Sequence, residues 1–104
     1  MQPTKSNILD YLLNIKDEFR LLGIEQIALF GSYATNNANI YSDIDIAIKK
    51  QTKYLRNYSA YDYFDTINSI KYNLKNKFHK NIDILDLDSN SPFLKDIKKE
   101  LIYV

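Results

Sequence analysis

Several residue types are scarce in this 104-residue chain, and each scarcity excludes a class of protein. The chain has no cysteine, which excludes a disulfide framework and thiolate metal sites and fits a reducing compartment. It has only two glycines, Gly23 and Gly31, where average usage gives about seven. No apolar run reaches the roughly eighteen residues of a membrane span, and the N-terminus has no basic-then-apolar leader. We therefore expect a cytoplasmic protein with no membrane contact.

An excess of charge of one sign is also lacking. The 14 basic residues nearly balance the 13 acidic ones, which leaves a formal net charge of +1. Because no bulk positive field attracts a polyanion, we expect no direct binding to nucleic acid. Hydrophobic residues make up 45% of the chain, enough for a compact core, and the length fits one domain over residues 1–104.

Helical periodicity marks two long segments. Apolar residues recur at helical spacing over 6–22 and again from about 59 to 77. Ser6 is a candidate N-cap of the first helix, and Gly23 stands where a left-handed residue ends it. Ser91-Pro92 predicts the start of a final helix, with Phe93, Ile97 and Leu101 on its buried side.

Three shorter apolar segments have the pattern of strands and cover residues 24–30, 43–48 and 81–87. The polar stretch 35–39 predicts a loop or one helical turn, and 49–57 predicts a connection. Helices and strands therefore alternate, which predicts an α/β (α+β) fold around one small sheet of about three strands.

The second predicted strand carries two acidic residues on one face. Since successive residues of a strand point to opposite sides, Asp43 and Asp45 share a face while Ile44 and Ile46 face the core. Two ionised carboxylates about 4 Å apart repel by about 4 kcal/mol at an intermediate dielectric. Either both acids are fully hydrated on an exposed face, or a cation lies between them.

A third acidic residue, Asp83, lies within the apolar pattern of the third strand, and favours the cation. If this strand lies beside the second, Asp83 completes a triad with Asp43 and Asp45. Three carboxylates without cysteine form a hard oxygen site that suits Mg²⁺ or Mn²⁺. Two such ions clamp the attacking and leaving oxygens in phosphoryl or nucleotidyl transfer. Asp86 is the competing third acid and ranks second, because the alternation would place it on the other face.

Gly31-Ser32 follows the first strand and precedes a turn. Backbone N–H groups at such a place bind phosphate oxygens, since glycine permits close approach and the serine hydroxyl adds a donor. The dipeptide alone is common, and it gains meaning from the acidic residues downstream.

The sequence combines Gly31-Ser32, ten intervening residues, Asp43-x-Asp45 and the later Asp83. This combination resembles the nucleotidyltransferase superfamily of DNA polymerase β. The segments Gly-Ser-Tyr-Ala and Ser-Asp-Ile-Asp-Ile resemble its minimal nucleotidyltransferase (MNT) members in particular. The resemblance covers about residues 24–87 and implies a mixed sheet with helices mainly on one side.

The resemblance also implies roles for these residues. Asp43 and Asp45 would bind two Mg²⁺ ions, with Mn²⁺ as the alternative. Asp83 would bind the catalytic ion and help to deprotonate the acceptor hydroxyl. Gly31 and Ser32 would hold the β- and γ-phosphates of ATP.

MNT proteins are typically the antitoxins of HEPN ribonuclease toxins, and the resemblance implies transfer of AMP from ATP to a toxin tyrosine. A chain of this length leaves the acceptor surface to a partner, so we expect a hetero-oligomer with the toxin. The alternatives are an antitoxin that masks the toxin without turnover, and a nucleotidyltransferase for a small molecule or RNA.

One position departs from the family pattern. Many members have Arg-Gly after the alanine, whereas this chain has Thr35-Asn36 after Ala34. A cation facing the triphosphate is therefore missing unless Lys49, Lys50 or Lys53 replaces it. Tyr33 either covers the nucleotide base or packs in the core.

Overall fold

The protein is represented by a computed structural model that describes residues 3–51 and 59–104. Helices and strands alternate along the chain, as the sequence predicts, except that a turn and not a helix separates the first two strands. In chain order they are α1 (Lys5–Leu21), β1 (Ile24–Phe30), β2 (Ile44–Lys50), α2 (Ala60–Phe78), β3 (Ile82–Asp86), α3 (Leu94–Ile97) and β4 (Ile102–Tyr103). Most of the predicted connection 49–57 lies outside the described residues, and Lys49 and Lys50 belong to β2.

The cap of α1 lies two residues before the predicted one. Thr4, not Ser6, accepts the N–H of Asn7 on its side chain at 3.1 Å, so Ser6 lies within the first turn. Both residues suit the cap position, and the helix takes the earlier start. Gly23 has a φ of +96° and its N–H donates to the Arg20 carbonyl at 3.1 Å, so it ends α1 as predicted.

The other helices also have local determinants. Ser59 and Asp62 form a reciprocal capping box at the start of α2, and His79 ends that helix in the left-handed conformation. The α3 segment is a single turn, shorter than predicted, and Phe93 before it is 61% exposed instead of buried. Among the described residues, no helix combines the length and apolar character needed to cross a membrane.

The described sheet is mixed and has the strand order β3-β2-β1-β4. Strand β2 pairs antiparallel with β1 and parallel with β3, because the chain between β2 and β3 crosses over through α2. Strand β4 adds an antiparallel edge in which Ile102 lies opposite Leu29. With this two-residue strand the described sheet has four strands, one more than the approximate three predicted.

The two faces of the sheet bury different amounts of apolar surface. The α1 and α2 helices cover one face, where Ile44, Ile46 and Ile48 of β2 are fully buried among them. A smaller cluster around Ala47 and Ile97 lies on the opposite face, under the α3 segment. The helices therefore pack mainly on one side, as predicted, and the end of the less covered face is left for polar side chains.

Candidate functional site

Three aspartates gather at one end of the less covered face, and we call Asp43, Asp45 and Asp83 the acidic cluster. Asp43 directly precedes β2, and Asp45 follows within it. In the parallel pairing of β2 with β3, Asp45 is in register with Asp83. The structure thus places the three predicted acids together, with the intervening isoleucines turned towards the helices.

The acidic cluster holds a concentrated negative charge. Partial burial, the charges of Asp83 and Asp43, and a hydrogen bond with Asp83 raise the pKa of Asp45 to about 6. Asp43 and Asp83 themselves are exposed. Because burial and acidic neighbours raise the pKa of Asp45, a cation bound beside it would favour the charged form of this carboxyl.

The donor atoms of the acidic cluster suit a hard divalent cation, since all are carboxylate oxygens. Within residues 3–51 and 59–104, no three acidic or imidazole side chains are arranged closely enough to enclose a metal ion. The chemistry of the cluster fits Mg²⁺, and the Asp43 and Asp83 side chains are exposed.

Gly31 lies against Asp45 at the end of β1. Its φ is +78°, a conformation that other residues rarely adopt. A Cβ atom at this position would overlap Asp45 Oδ2 and lie 2.9 Å from Asp45 Cγ. Only glycine therefore brings the backbone this close to the acidic cluster.

After Gly31 the chain makes a tight turn of helical character. The carbonyl of Gly31 accepts the N–H groups of Ala34 and Thr35, each at 3.1 Å, and the carbonyl of Ser32 accepts that of Asn37 at 2.8 Å. The turn covers 32–36, slightly earlier than the predicted 35–39. The first N–H groups of such a turn have no partner within the turn itself, so they suit an anionic acceptor.

Glu100, which the sequence analysis missed, completes the surroundings of Gly31. Its Oε1 accepts the Gly31 N–H at 3.2 Å, and its charge helps to raise the pKa of Asp45. The two residues are 69 positions apart, and Glu100 lies in a turn without periodic signal. No local pattern in the sequence could have indicated this contact.

Asp86, the competing third acid, is bound by Lys50 and Tyr63 outside the acidic cluster. Lys50 Nζ contacts its Oδ2 at 2.6 Å, and the Tyr63 hydroxyl donates to the same oxygen at 2.8 Å. Although burial opposes the effect, hydrogen bonds from Lys50, the Asp88 amide and Tyr63 lower the pKa of Asp86. These contacts lie on the helix-covered face, as its position in the alternation predicts.

The three lysines that could replace the missing cation lie in different surroundings. Lys50 is paired with Asp86, Lys49 is exposed farther along β2, and Lys53 lies outside the described residues. Tyr33 packs in the core with 7% exposure, and its pKa is raised by burial and by the charge of Asp43.

Two further lysines, Lys75 and Lys80, line a cavity together with Asp43. This open cavity of about 440 Å³ separates the start of β2 from the end of α2. Its lining includes Asp43, Tyr41, Lys75, His79 and Lys80. Sequence spacing gave no reason to connect these cations with Asp43, since they lie 32 or more positions away.

The chain is similar to several known proteins. The family described as "Polymerase beta, Nucleotidyltransferase" matches residues 13–104. The chain is 30% identical over 93 residues to "Putative protein adenylyltransferase MJ0128" of Methanocaldococcus jannaschii, covering 86% of this chain and 83% of that protein.

Two solved structures share the fold. "Structure of putative minimal nucleotidyltransferase" aligns with a TM-score of 0.69 at 18% identity, over 96% of this chain and 95% of the other. "Crystal structure of the toxin-antitoxin with AMP-PNP" aligns with a TM-score of 0.61 at 20% identity, over 97% of this chain and 72% of the other. At these identities the likeness concerns the fold.

Proposed function

This chain belongs to the Polymerase beta nucleotidyltransferase family and is a nucleotidyltransferase, and we propose that it transfers AMP from ATP to a tyrosine hydroxyl of a partner HEPN toxin. One observation carries the proposal. The glycine turn at Gly31 lies directly against Asp45, which is itself in register with Asp83. The turn that we propose binds phosphate and the carboxylate cluster therefore share one end of the sheet.

Each residue of the site has a part in this proposal. Asp43, Asp45 and Asp83 would hold Mg²⁺ or Mn²⁺, in the two-ion arrangement that the resemblance implies. When bound, the metal neutralises the triphosphate and the charge that develops during transfer. The backbone N–H groups of Gly31 and Ser32 would bind the β- and γ-phosphates of ATP.

The transfer step is a displacement at the α-phosphorus of ATP. The acceptor phenolic oxygen forms a bond to that phosphorus while the bond to the bridging oxygen of the β-phosphate breaks, and diphosphate leaves. Asp83, at the outer side of the cluster, takes the phenolic proton. The products are a tyrosyl-AMP ester and diphosphate.

Support for a protein acceptor comes from the relatives. The M. jannaschii relative is named as a protein adenylyltransferase, and one structural neighbour is a toxin-antitoxin with AMP-PNP. The HEPN identity of the toxin and the tyrosine acceptor rest on the resemblance of the Gly-Ser and Asp-x-Asp motifs to MNT proteins.

The cavity beside Asp43 offers a source of the positive charge that is missing at Thr35-Asn36. Lys75 and Lys80 line the cavity, so positive charge is available next to the acidic cluster even without the family arginine. Lys80 Nζ donates to the Ile40 carbonyl and thereby holds the loop before Asp43.

Label transfer tests the proposal. The purified chain is incubated with α-³²P-labelled ATP, Mg²⁺ or Mn²⁺ and the toxin encoded beside it, and we expect label on the toxin. The Asp43→Ala/Asp45→Ala variant should lose the transfer, whereas Asp10→Asn, an exposed acid of α1, should retain it. Absence of label with a toxin shown to bind the wild-type chain would contradict the proposal.

A second candidate is an antitoxin that masks the toxin without catalysis. The contact of Glu100 with the Gly31 N–H favours it, since that N–H is engaged by a carboxylate, and so does the absence of Arg-Gly after Ala34. Here the folded Asp43→Ala/Asp45→Ala variant should still neutralise the toxin in cells. Loss of neutralisation by that variant would exclude masking alone.

A further inference from the structure

The contact between Glu100 and Gly31 has a consequence for nucleotide binding. We propose that the Glu100 carboxylate occupies the position on the Gly31 N–H that a nucleotide phosphate takes, so that the nucleotide must displace it. The inference rests on the proposed function, because it assumes that Gly31 binds phosphate. Glu100 is then an internal competitor that sets the affinity for triphosphates.

The chemistry of the two acceptors is the same. Glu100 Oε1 accepts the Gly31 N–H at 3.2 Å in a partly buried position, as an anionic oxygen of a phosphate would. A backbone N–H has a single proton to donate, so a carboxylate and a phosphate oxygen compete for it. Their like charges also exclude close simultaneous binding.

The backbone around Glu100 is anchored by contacts that do not involve its side chain. The Glu100 N–H donates to the Ile97 carbonyl at 2.8 Å, and Ile97 is buried. Two residues later Ile102 pairs with Leu29 of β1. Because both anchors are independent of the carboxylate, displacement requires rotation of one side chain and leaves the sheet intact.

The carboxylate also faces the acidic cluster. Glu100 contributes to the negative charge around Asp45, together with Asp43 and Asp83. A triphosphate arriving at Gly31 therefore meets one more negative charge than the cluster itself supplies. Removal of this charge should strengthen phosphate binding, whereas removal of a residue that holds the nucleotide would weaken it.

Binding measurements test the inference. Calorimetry with ATP and Mg²⁺ should give a Kd about tenfold lower for Glu100→Gln and Glu100→Ala than for the wild-type chain, the scale of a lost competing charged hydrogen bond. Inorganic triphosphate should show the same gain and adenosine none. Glu25→Gln, an exposed glutamate of β1, makes the same change in net charge and should leave each Kd unchanged.

The two glycines permit a direct test of the contact. Labelling with ¹⁵N-glycine marks only Gly31 and Gly23. Gly23 lies at the end of α1, where its N–H donates to the Arg20 carbonyl. Glu100→Gln should shift the Gly31 amide resonance and leave that of Gly23 in place. Saturating ATP should shift the Gly31 resonance of the wild-type chain as well.

Four outcomes are decisive. An equal Kd for wild-type chain and folded Glu100 variants overturns the inference and leaves the proposed function standing, as does weaker binding by the variants. Binding of ATP by none of these proteins overturns the proposed function, and the phosphate role of Gly31 with it. Tighter binding by both variants, with a Gly31 shift on adding ATP, supports the inference.

Discussion

Gly31 and Asp45 are packed so closely that a methyl group on Gly31 would overlap the Asp45 carboxylate. The approach depends on the φ of +78° at Gly31, which turns the chain sharply at the end of β1. It also depends on the antiparallel pairing that sets Phe30 opposite Asp45. The glycine turn and the acidic cluster are thus parts of one corner of the sheet.

Gly31→Ala should destabilise the fold and impair the site together. The left-handed φ and the overlap with Asp45 should lower the free energy of unfolding by about 1–3 kcal/mol. Gly23→Ala is the matched control, since it replaces the other positive-φ glycine at the end of α1. Urea denaturation gives the stability of both variants, and calorimetry should show weakened ATP binding for Gly31→Ala alone. Equal ATP binding by the two variants would contradict this prediction.

The raised pKa of Asp45 predicts a pH-dependent gain in stability for Asp45→Asn. The pKa is about 6 in the folded chain against 3.8 in the unfolded chain, so the favourable contribution of the protonated form is lost as the pH rises through 6. In EDTA at pH 8, the variant should therefore be more stable than the wild-type chain by about 1 kcal/mol, allowing for solvent screening. The difference should shrink towards pH 4. Thermal denaturation across this range measures it, with Asp65→Asn on α2 as the control that should show no such trend.

Divalent cations should stabilise the chain through the acidic cluster. A ligand that binds only the folded state at ten times its Kd adds about 1.4 kcal/mol to the free energy of unfolding. Addition of Mg²⁺ or Mn²⁺ should raise the Tm of the wild-type chain, and Asp43→Ala/Asp45→Ala should abolish the rise. Asp86→Asn should retain the rise, because Asp86 is paired with Lys50 on the other face. A similar response from all three proteins would place cation binding elsewhere.

The ion pair on the helix-covered face should contribute to stability independently of the site. Lys50→Met leaves the half-buried Asp86 carboxylate without its cation and should lower the free energy of unfolding by about 1–3 kcal/mol. The matched control is Lys49→Met, which removes an exposed charge on the neighbouring residue and should have little effect.

The lowered pKa of Asp86 gives this ion pair a pH signature. Its contribution to stability is present above the ordinary aspartate pKa of 3.8 and is lost as the pH falls through the lowered folded value. The difference in Tm between wild-type chain and Lys50→Met should therefore narrow on acidification below about pH 4. A difference that stays constant down to pH 2 would show that Lys50 acts through packing alone.

Much of the fold was predictable because its determinants are local. Helical spacing located α1 and α2, and strict alternation turned Asp45 away from the buried Ile44 and Ile46. The exact cap was not predictable, since Thr4 and Ser6 are both suitable and differ only in the contacts around them. Strand β4 escaped prediction because two residues carry no measurable period.

The sequence by itself determined the common face of Asp43 and Asp45 and the need for a residue at Gly31 that permits close approach of the backbone. These features follow from chain geometry within a few residues. Only the tertiary structure decided that Asp83 lies beside Asp45 and that Lys50 forms an ion pair with Asp86. It also decided that the Glu100 carboxylate accepts the Gly31 N–H. Each of these depends on strand pairing or on contacts between residues at least 36 positions apart, which no local pattern encodes.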